Sequence, residues 1–252
     1  AEFGPDMVVA GAMPLRYDGA TIAEWGFHCA PDGDMPATAA GAGLPPPGPV
    51  PVAGNMVPGT YLYAACYEEV DAAGEVHPGP MTAVPILETL VTGDNRVTIT
   101  LPTYQLTSKP RVRIGIFRTE EGDTTDSPRM YRVTSLDPSA TGYNGYVLND
   151  PSVDTVTFTD GMSDAVLLTR ERAYTNQGVL SNDPVGLGAL VIAAKDRLFF
   201  SDPTDPEIVR YTQTRRDGYG AEMAADLSIR VPGGTIRALG VLDDALLVFT
   251  AD

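Results

Sequence analysis

Residues with the chemistry of a site are few and thinly spread along this chain. There are two histidines, His28 and His77. His28 stands beside Cys29, and neighbours on a strand point to opposite faces, so the pair makes no cysteine–histidine dyad. His77 precedes Pro78 in a Gly/Pro-rich stretch and reads as a solvated turn residue. Two histidines plus an acid are enough donors for a metal, but no ligand spacing recommends one here. Cys29 and Cys66 form no C-x-x-C pair, and whether they meet in a disulfide stays open. The nucleophile patterns G-x-S-x-G and S-x-x-K are missing, as are a glycine-rich phosphate loop and H-E-x-x-H. No catalytic residue, metal ligand or cofactor is assigned, and the chain reads as non-enzymatic.

Carboxylates concentrate in two places. One holds Glu120, Glu121, Asp123 and Asp126; the other holds Asp202, Asp205 and Glu207. Neither follows the calcium-loop pattern D-x-[DN]-x-[DN]-G. In the second, each aspartate lies next to a proline, which suits Asx-type turns. Both clusters read as solvated loops. Glycoside cleavage needs two converging acids, and nothing selects a pair. Tyr61, Tyr63 and Tyr67 recur every second or fourth residue and read as inter-strand core packing, with a sugar-binding platform as the functional alternative. Tyr143-Asn144-Gly145-Tyr146 reads as an exposed hairpin tip whose two tyrosines are candidate subunit contacts.

The elements that must position these groups are strands. Glycine and proline are abundant, 26 and 22 of 252 residues, which excludes a helical bundle or coiled coil. With 43% apolar residues there is still material for a core. Arg96–Leu101, Arg111–Arg118, Tyr131–Thr134 and Thr155–Thr159 alternate in the manner of strands, as Tyr61–Tyr67 does in part. In Arg111–Arg118 the arginines share one face and Val and Ile the other. Ala189–Ala193 and Arg197–Ser201 predict a hairpin, and Thr235–Leu242 with Ala245–Phe249 predict a second, closed by Asp243-Asp244. The two are spaced by about the ~40–50 residues of a propeller blade. The one helix candidate is Ala221–Leu227. Residues 33–58, with the run Leu44-Pro45-Pro46-Pro47-Gly48-Pro49, read as a polyproline-like linker. Met7–Ala10 reads as half a hairpin without a preceding partner, and Leu246–Thr250 stops soon after its strand. The expectation is an interior piece of a longer polypeptide, or edges covered by other subunits. The N-terminus carries no signal-peptide pattern, and no apolar run is long enough to span a bilayer as a helix.

Two resemblances organise these strands. Pro58-Gly59-Thr60-Tyr61-Leu62-Tyr63, Tyr67, Gly74 and Pro78-Gly79-Pro80 resemble the late strands of fibronectin type III modules. Val97–Leu101 and Arg111–Arg118 look like the early strands of the same module, in unusual order. A second resemblance covers nearly the whole chain. Leu15-Arg16-Tyr17-Asp18-Gly19, Trp25-Gly26-Phe27 and Pro31 precede the fibronectin-like stretch. Gln177–Pro184, Asp196–Pro203 and Ile236–Phe249 follow it. That succession is similar to bacteriophage virion proteins of the tail-nozzle (tail tubular) kind. The resemblance implies an all-β chain with a fibronectin III-like β-sandwich inserted in, or attached to, part of a β-propeller-like platform. The expected divisions are 1–45 (leading platform segment and start of linker), 46–165 (sandwich) and 166–252 (platform hairpins).

The function so implied is structural: part of a homo-oligomeric ring in a virion tail, below portal and adaptor and beside other tail proteins. DNA would leave through it without sequence-specific binding. The formal net charge of −16 argues against wrapping duplex DNA or resting on an anionic membrane, and suits a conduit that must not hold a polyanion. Candidate channel-lining or rim acids are Glu120, Glu121, Asp123, Asp126, Asp202, Asp205, Glu207, Asp243 and Asp244. The alternative is a secreted fibronectin III-like binding module accessory to carbohydrate recognition. A propeller hydrolase, which needs converging carboxylates, ranks below both.

Overall fold

A computed structural model describes residues 1–11, 14–32, 37–41, 54–82, 85–126, 128–173, 182, 189–223, 227–243 and 245–251. The chain is all-β, as the alternation requires, in several antiparallel sheets. The first is a four-stranded meander in chain order: β1 (Glu2–Phe3), β2 (Asp6–Val9), β3 (Leu15–Tyr17) and β4 (Ile22–Glu24). Met7–Val9 therefore has neighbours on both sides, Glu2 opposite Met7 and Leu15–Tyr17 beyond, and is not half of an unpaired hairpin.

Two sheets then face each other around the main core. One contains β12 (Thr155–Asp160), β9 (Asp94–Pro102) and β5 (Ala37–Gly41). So 37–41 is a strand and not linker; residues 33–36 and 42–53 of that reading lie outside the described residues. The other is built on the twelve-residue β6 (Gly59–Val70). One edge of β6 pairs with β10 (Val112–Arg118), which carries β11 (Tyr131–Arg132). Its other edge is shared by β7 (Val76–Met81) and β8 (Ile86–Leu90). Because β8 also leans on β5 and β9, the pair of sheets closes on that side into a half-barrel.

Side-chain alternation on β6 assigns its two faces. Tyr61, Tyr63, Ala65 and Tyr67 point into the core and meet Val97, Ile99 and Leu101 of β9 and Val112, Ile114 and Ile116 of β10. Ala64 and Cys66 point the other way and are covered by Phe117 and Met130. Both faces of β6 and β10 are thus buried, which corrects the expected arginine face of 111–118: Arg113 and Arg118 lie inside. The one helix among the described residues, α1 (Asp164–Leu167), is a single turn that seats Leu167 in the main core. Of the expected helix Ala221–Leu227, residues 221–223 and 227 are irregular and the rest lie outside the described residues.

A second meander follows: β13 (Val191–Ala194), β14 (Arg197–Ser201), β15 (Ile208–Tyr211) and β16 (Ser228–Arg230). Lys195 and Asp196, both at positive φ, form the two-residue turn between β13 and β14. The last sheet is the hairpin β17 (Thr235–Leu242) and β18 (Ala245–Ala251), with Asp243 likewise at positive φ. The first sheet and the second meander share a core of Phe3, Val8, Trp25, Leu198, Phe200 and Met223. Trp25 meets Phe200 edge to face at 6.1 Å. The chain therefore leaves this core after β4, builds the two facing sheets, and returns to it at β13.

Burial sets the stability expectation. Ile114 is buried in the main core whereas Leu106 is 91% exposed. Urea unfolding of Ile114→Ala should show a loss of ~2–5 kcal/mol. Leu106→Ala should stay within about 0.5 kcal/mol of the parent.

Candidate functional site

The most concentrated chemistry lies where the β6–β7 hairpin meets the first meander and the segment after β15. Asp71 ends β6 and turns the chain: its Oδ1 accepts from the Glu75 amide at 2.8 Å, and its own amide donates to the Glu75 carbonyl. Glu75 and His77 then fall on one face, because alternate strand residues do. Asp6 arrives from β2 and Arg16 from β3. On the far side, Tyr219 makes an isolated parallel bridge to Val76, with amide bonds from Val76 to the Gly218 carbonyl and from Gly220 to the Val76 carbonyl. The His77 ring packs so closely on Gly220 that a Cβ there would meet Nδ1 at 2.0 Å.

These groups are buried, which corrects the solvated-turn reading of His77. Its Nε2 is 2.9 Å from Asp71 Oδ2 and 3.5 Å from Asp6 Oδ2. Arg16, only 2% exposed, pairs with Glu69 at 2.8 Å and stands off Asp6 and Asp71 at 3.3 and 3.5 Å. Glu75 pairs with Arg215. Burial pushes the Asp6 carboxyl above its ordinary range, against the pull of His77 and Arg16. At Asp71 burial acts the same way but is outweighed by hydrogen bonds from His77 and the Glu75 amide, so its pKa falls. Asp6, Asp71, Glu75 and His77 offer donor atoms all within 4.8 Å of one another. No spacing rule finds this set, because Asp6 comes from a distant strand. The legible part was the turn at Asp71 followed by Glu75 and His77 two residues apart.

Three further buried charge networks brace the sheets. Glu68 takes Arg113 Nε at 2.8 Å and both amino groups of Arg132, which reaches on to Glu171 at 3.1 Å. Gly115 makes room for this, since a Cβ there would meet Glu68 Oε1 at 2.7 Å. At the other end of β10, Arg118 lies between Asp160 and Asp164, each at 2.7 Å, while Tyr63 donates to Asp160 at 2.9 Å. Glu24, at the end of β4, accepts from the Thr107 and Ser108 hydroxyls and pairs with Lys109 at 3.1 Å. Burial opposes its ionisation, but these donors outweigh it and bring its pKa down to about 2.

The sequence-selected residues are not brought together. Glu120, Glu121, Asp123 and Asp126 occupy the loop after β10, with Glu121 and Asp126 exposed and Asp123 accepting from the Arg129 amide. Asp202, Asp205 and Glu207 form the β14–β15 connection. Asp202 accepts from the Thr204 and Asp205 amides, and Asp205 from that of Glu207, so the Asx-turn reading holds. Asp202 is buried against Arg210, and Arg230 spans Asp205 at 2.5 Å and Glu207 at 2.7 Å. Two arginines thus offset most of this loop's three carboxylates within the chain. Asp243 is exposed at the β17–β18 turn; Asp244 lies outside the described residues. Tyr143 and Tyr146 are half-buried, not an exposed tip: no strands flank them, and Tyr143 accepts from Arg96 at 2.8 Å. Tyr61, Tyr63 and Tyr67 are buried in the core, which removes the sugar platform. Cys29 and Cys66 are both free thiols, the first exposed and the second buried. No protein-family model, curated protein or solved structure matches this chain.

Two variants test the junction. Arg16→Met strands buried carboxylates and should cost ~3–5 kcal/mol at pH 7. Urea unfolding at pH 7 measures the loss. Glu24 has a lowered pKa, so its contribution is present above the ordinary 4.5 and lost as pH falls through about 2. Glu24→Gln should flatten the stability profile in that window.

Proposed function

We propose that this chain is a structural, non-enzymatic component of a bacteriophage virion tail, part of a nozzle or hub ring beneath portal and adaptor. The observation that carries the reading is the packing of first strands. β13 lies against both β1 and β17, and each of these begins an antiparallel meander or hairpin. In a propeller every blade is a four-stranded sheet arranged radially around a central channel, so corresponding strands of successive blades adjoin. On this reading β1–β4 and β13–β16 are two blade-like sheets and β17–β18 opens a third. The facing sheets between them are the fibronectin III-like insertion; because β5 (Ala37–Gly41) pairs with β9, that insertion begins before the expected division at 45/46.

Support for the ring comes from the surface of the last hairpin. Leu242 and Phe249 are 60% and 53% exposed, and Val241 and Leu247 are exposed as well. A two-stranded hairpin of this composition is marginal in water unless something covers it. In a ring the neighbouring copy does so. Of the candidate rim acids, Glu121, Asp126 and Asp243 are exposed, the positions from which a conduit would repel a polyanion. The glycan-binding alternative has no comparable observation behind it.

Mass photometry and negative-stain imaging of the purified protein test the assignment. The expected result is a closed ring of fixed copy number, shifted toward single chains by Phe249→Glu with Leu242→Glu. A monodisperse single chain at micromolar concentration, indifferent to both substitutions, would remove it.

A further inference from the structure

The carboxylate–imidazole cluster at the β6–β7 hairpin has the composition of a ligand set. We propose that Asp6, Asp71, Glu75 and His77 bind one divalent transition-metal cation, Zn²⁺ or Mn²⁺, which pins the hairpin to the first meander. The four donors converge within 4.8 Å and all are buried. One imidazole nitrogen with carboxylate oxygens suits these ions, whereas Ca²⁺ and Mg²⁺ favour oxygen and water alone.

Three observations point to a cation rather than to a self-sufficient ion-pair network. The first is charge. Around His77 the buried carboxylates of Asp6, Asp18, Glu69, Asp71 and Glu75 outnumber the cations Arg16, Arg215 and Lys109. Uncompensated buried charge is costly, and a divalent cation offsets the excess.

The second is an orphaned ligand atom. Glu75 Oε2 is buried and has no hydrogen-bond partner among the described residues, and its side chain is 9% exposed. Oε1 takes Arg215, leaving Oε2 for another electrophile. The third is the stand-off of Arg16. Its short contact is to Glu69, and its distances of 3.3 and 3.5 Å to Asp6 and Asp71 exceed those of a tight charge-assisted bond. Those carboxylates therefore retain coordinating capacity beside His77 Nε2. That nitrogen donates to Asp71 when protonated and presents a lone pair to the same space when it is not.

This site does not depend on the tail assignment. Chelator-stripped full chain is titrated with Mn²⁺, followed by electron paramagnetic resonance, and separately with Zn²⁺ in a Cys29→Ser background that removes the exposed thiol. The expected result is about one ion per chain, with Tm raised by roughly 5–10 °C at a hundredfold excess over Kd. Glu75→Gln and His77→Gln should each weaken binding at least tenfold, while Asp205→Asn with Glu207→Gln on the distant loop leaves it unchanged. Wild-type protein that takes up neither ion with unchanged Tm overturns the proposal, whatever the variants do. Stoichiometric binding indifferent to Glu75→Gln and His77→Gln overturns it too, as does Ca²⁺ binding as tightly as Zn²⁺.

Discussion

Buried charge at the junction of the sheets is the constraint on which the rest of this molecule depends. Glu68, Glu69 and Asp71 at the end of β6 reach opposite faces of one strand and must all be compensated out of water. Their partners come from three separate places: Arg16 from the first meander, Arg113 and Arg132 from the same sheet, and His77 from the adjoining strand. Removing Arg16 takes from Glu69 its closest cation. The arrangement fixes the hairpin in register against its surroundings more sharply than apolar contact alone, which is tolerant of sliding.

The arginine preference of the sequence follows from this. Fifteen of the seventeen basic residues are arginine. A planar guanidinium satisfies two carboxylates at once and loses less on leaving water than an ammonium does. Arg118 uses three nitrogens on Asp160, Asp164 and the Met162 carbonyl, and Arg132 joins Glu68 to Glu171. Lys109, one of the two lysines, is held against Glu24 and over the Phe27 ring, and burial lowers its pKa.

Much of the fold was legible because period-two alternation is a local property. The hairpins at 191–201 and 235–251, the inward tyrosines of β6 and the Asx turns at 202–207 each follow from residues within a few positions of one another. What was missed depends on distant partners. His77 sits in a stretch that looks like a turn, and only Asp6, brought by another sheet, makes it a buried group. Arg113 and Arg118 of β10 stand on opposite faces, and only Glu68 on one side and Asp160 with Asp164 on the other let both lie inside. The strand at 37–41 is Ala/Gly-rich, without the β-branched or aromatic residues that announce a strand, and is set by its pairing with β9. Tyr143 likewise looks like a loop-tip aromatic until Arg96 claims its hydroxyl.

The contact between Trp25 and Phe200 has a temporal consequence. As the polypeptide emerges from the ribosome, the facing sheets between these residues are complete before Phe200 is made. The N-terminal meander must wait with Phe3, Val8 and Trp25 lacking their later partners, exposed to chaperones or to premature pairing. Trp25 is also the only tryptophan. Its emission therefore watches the last event of assembly within the chain and is blind to the first.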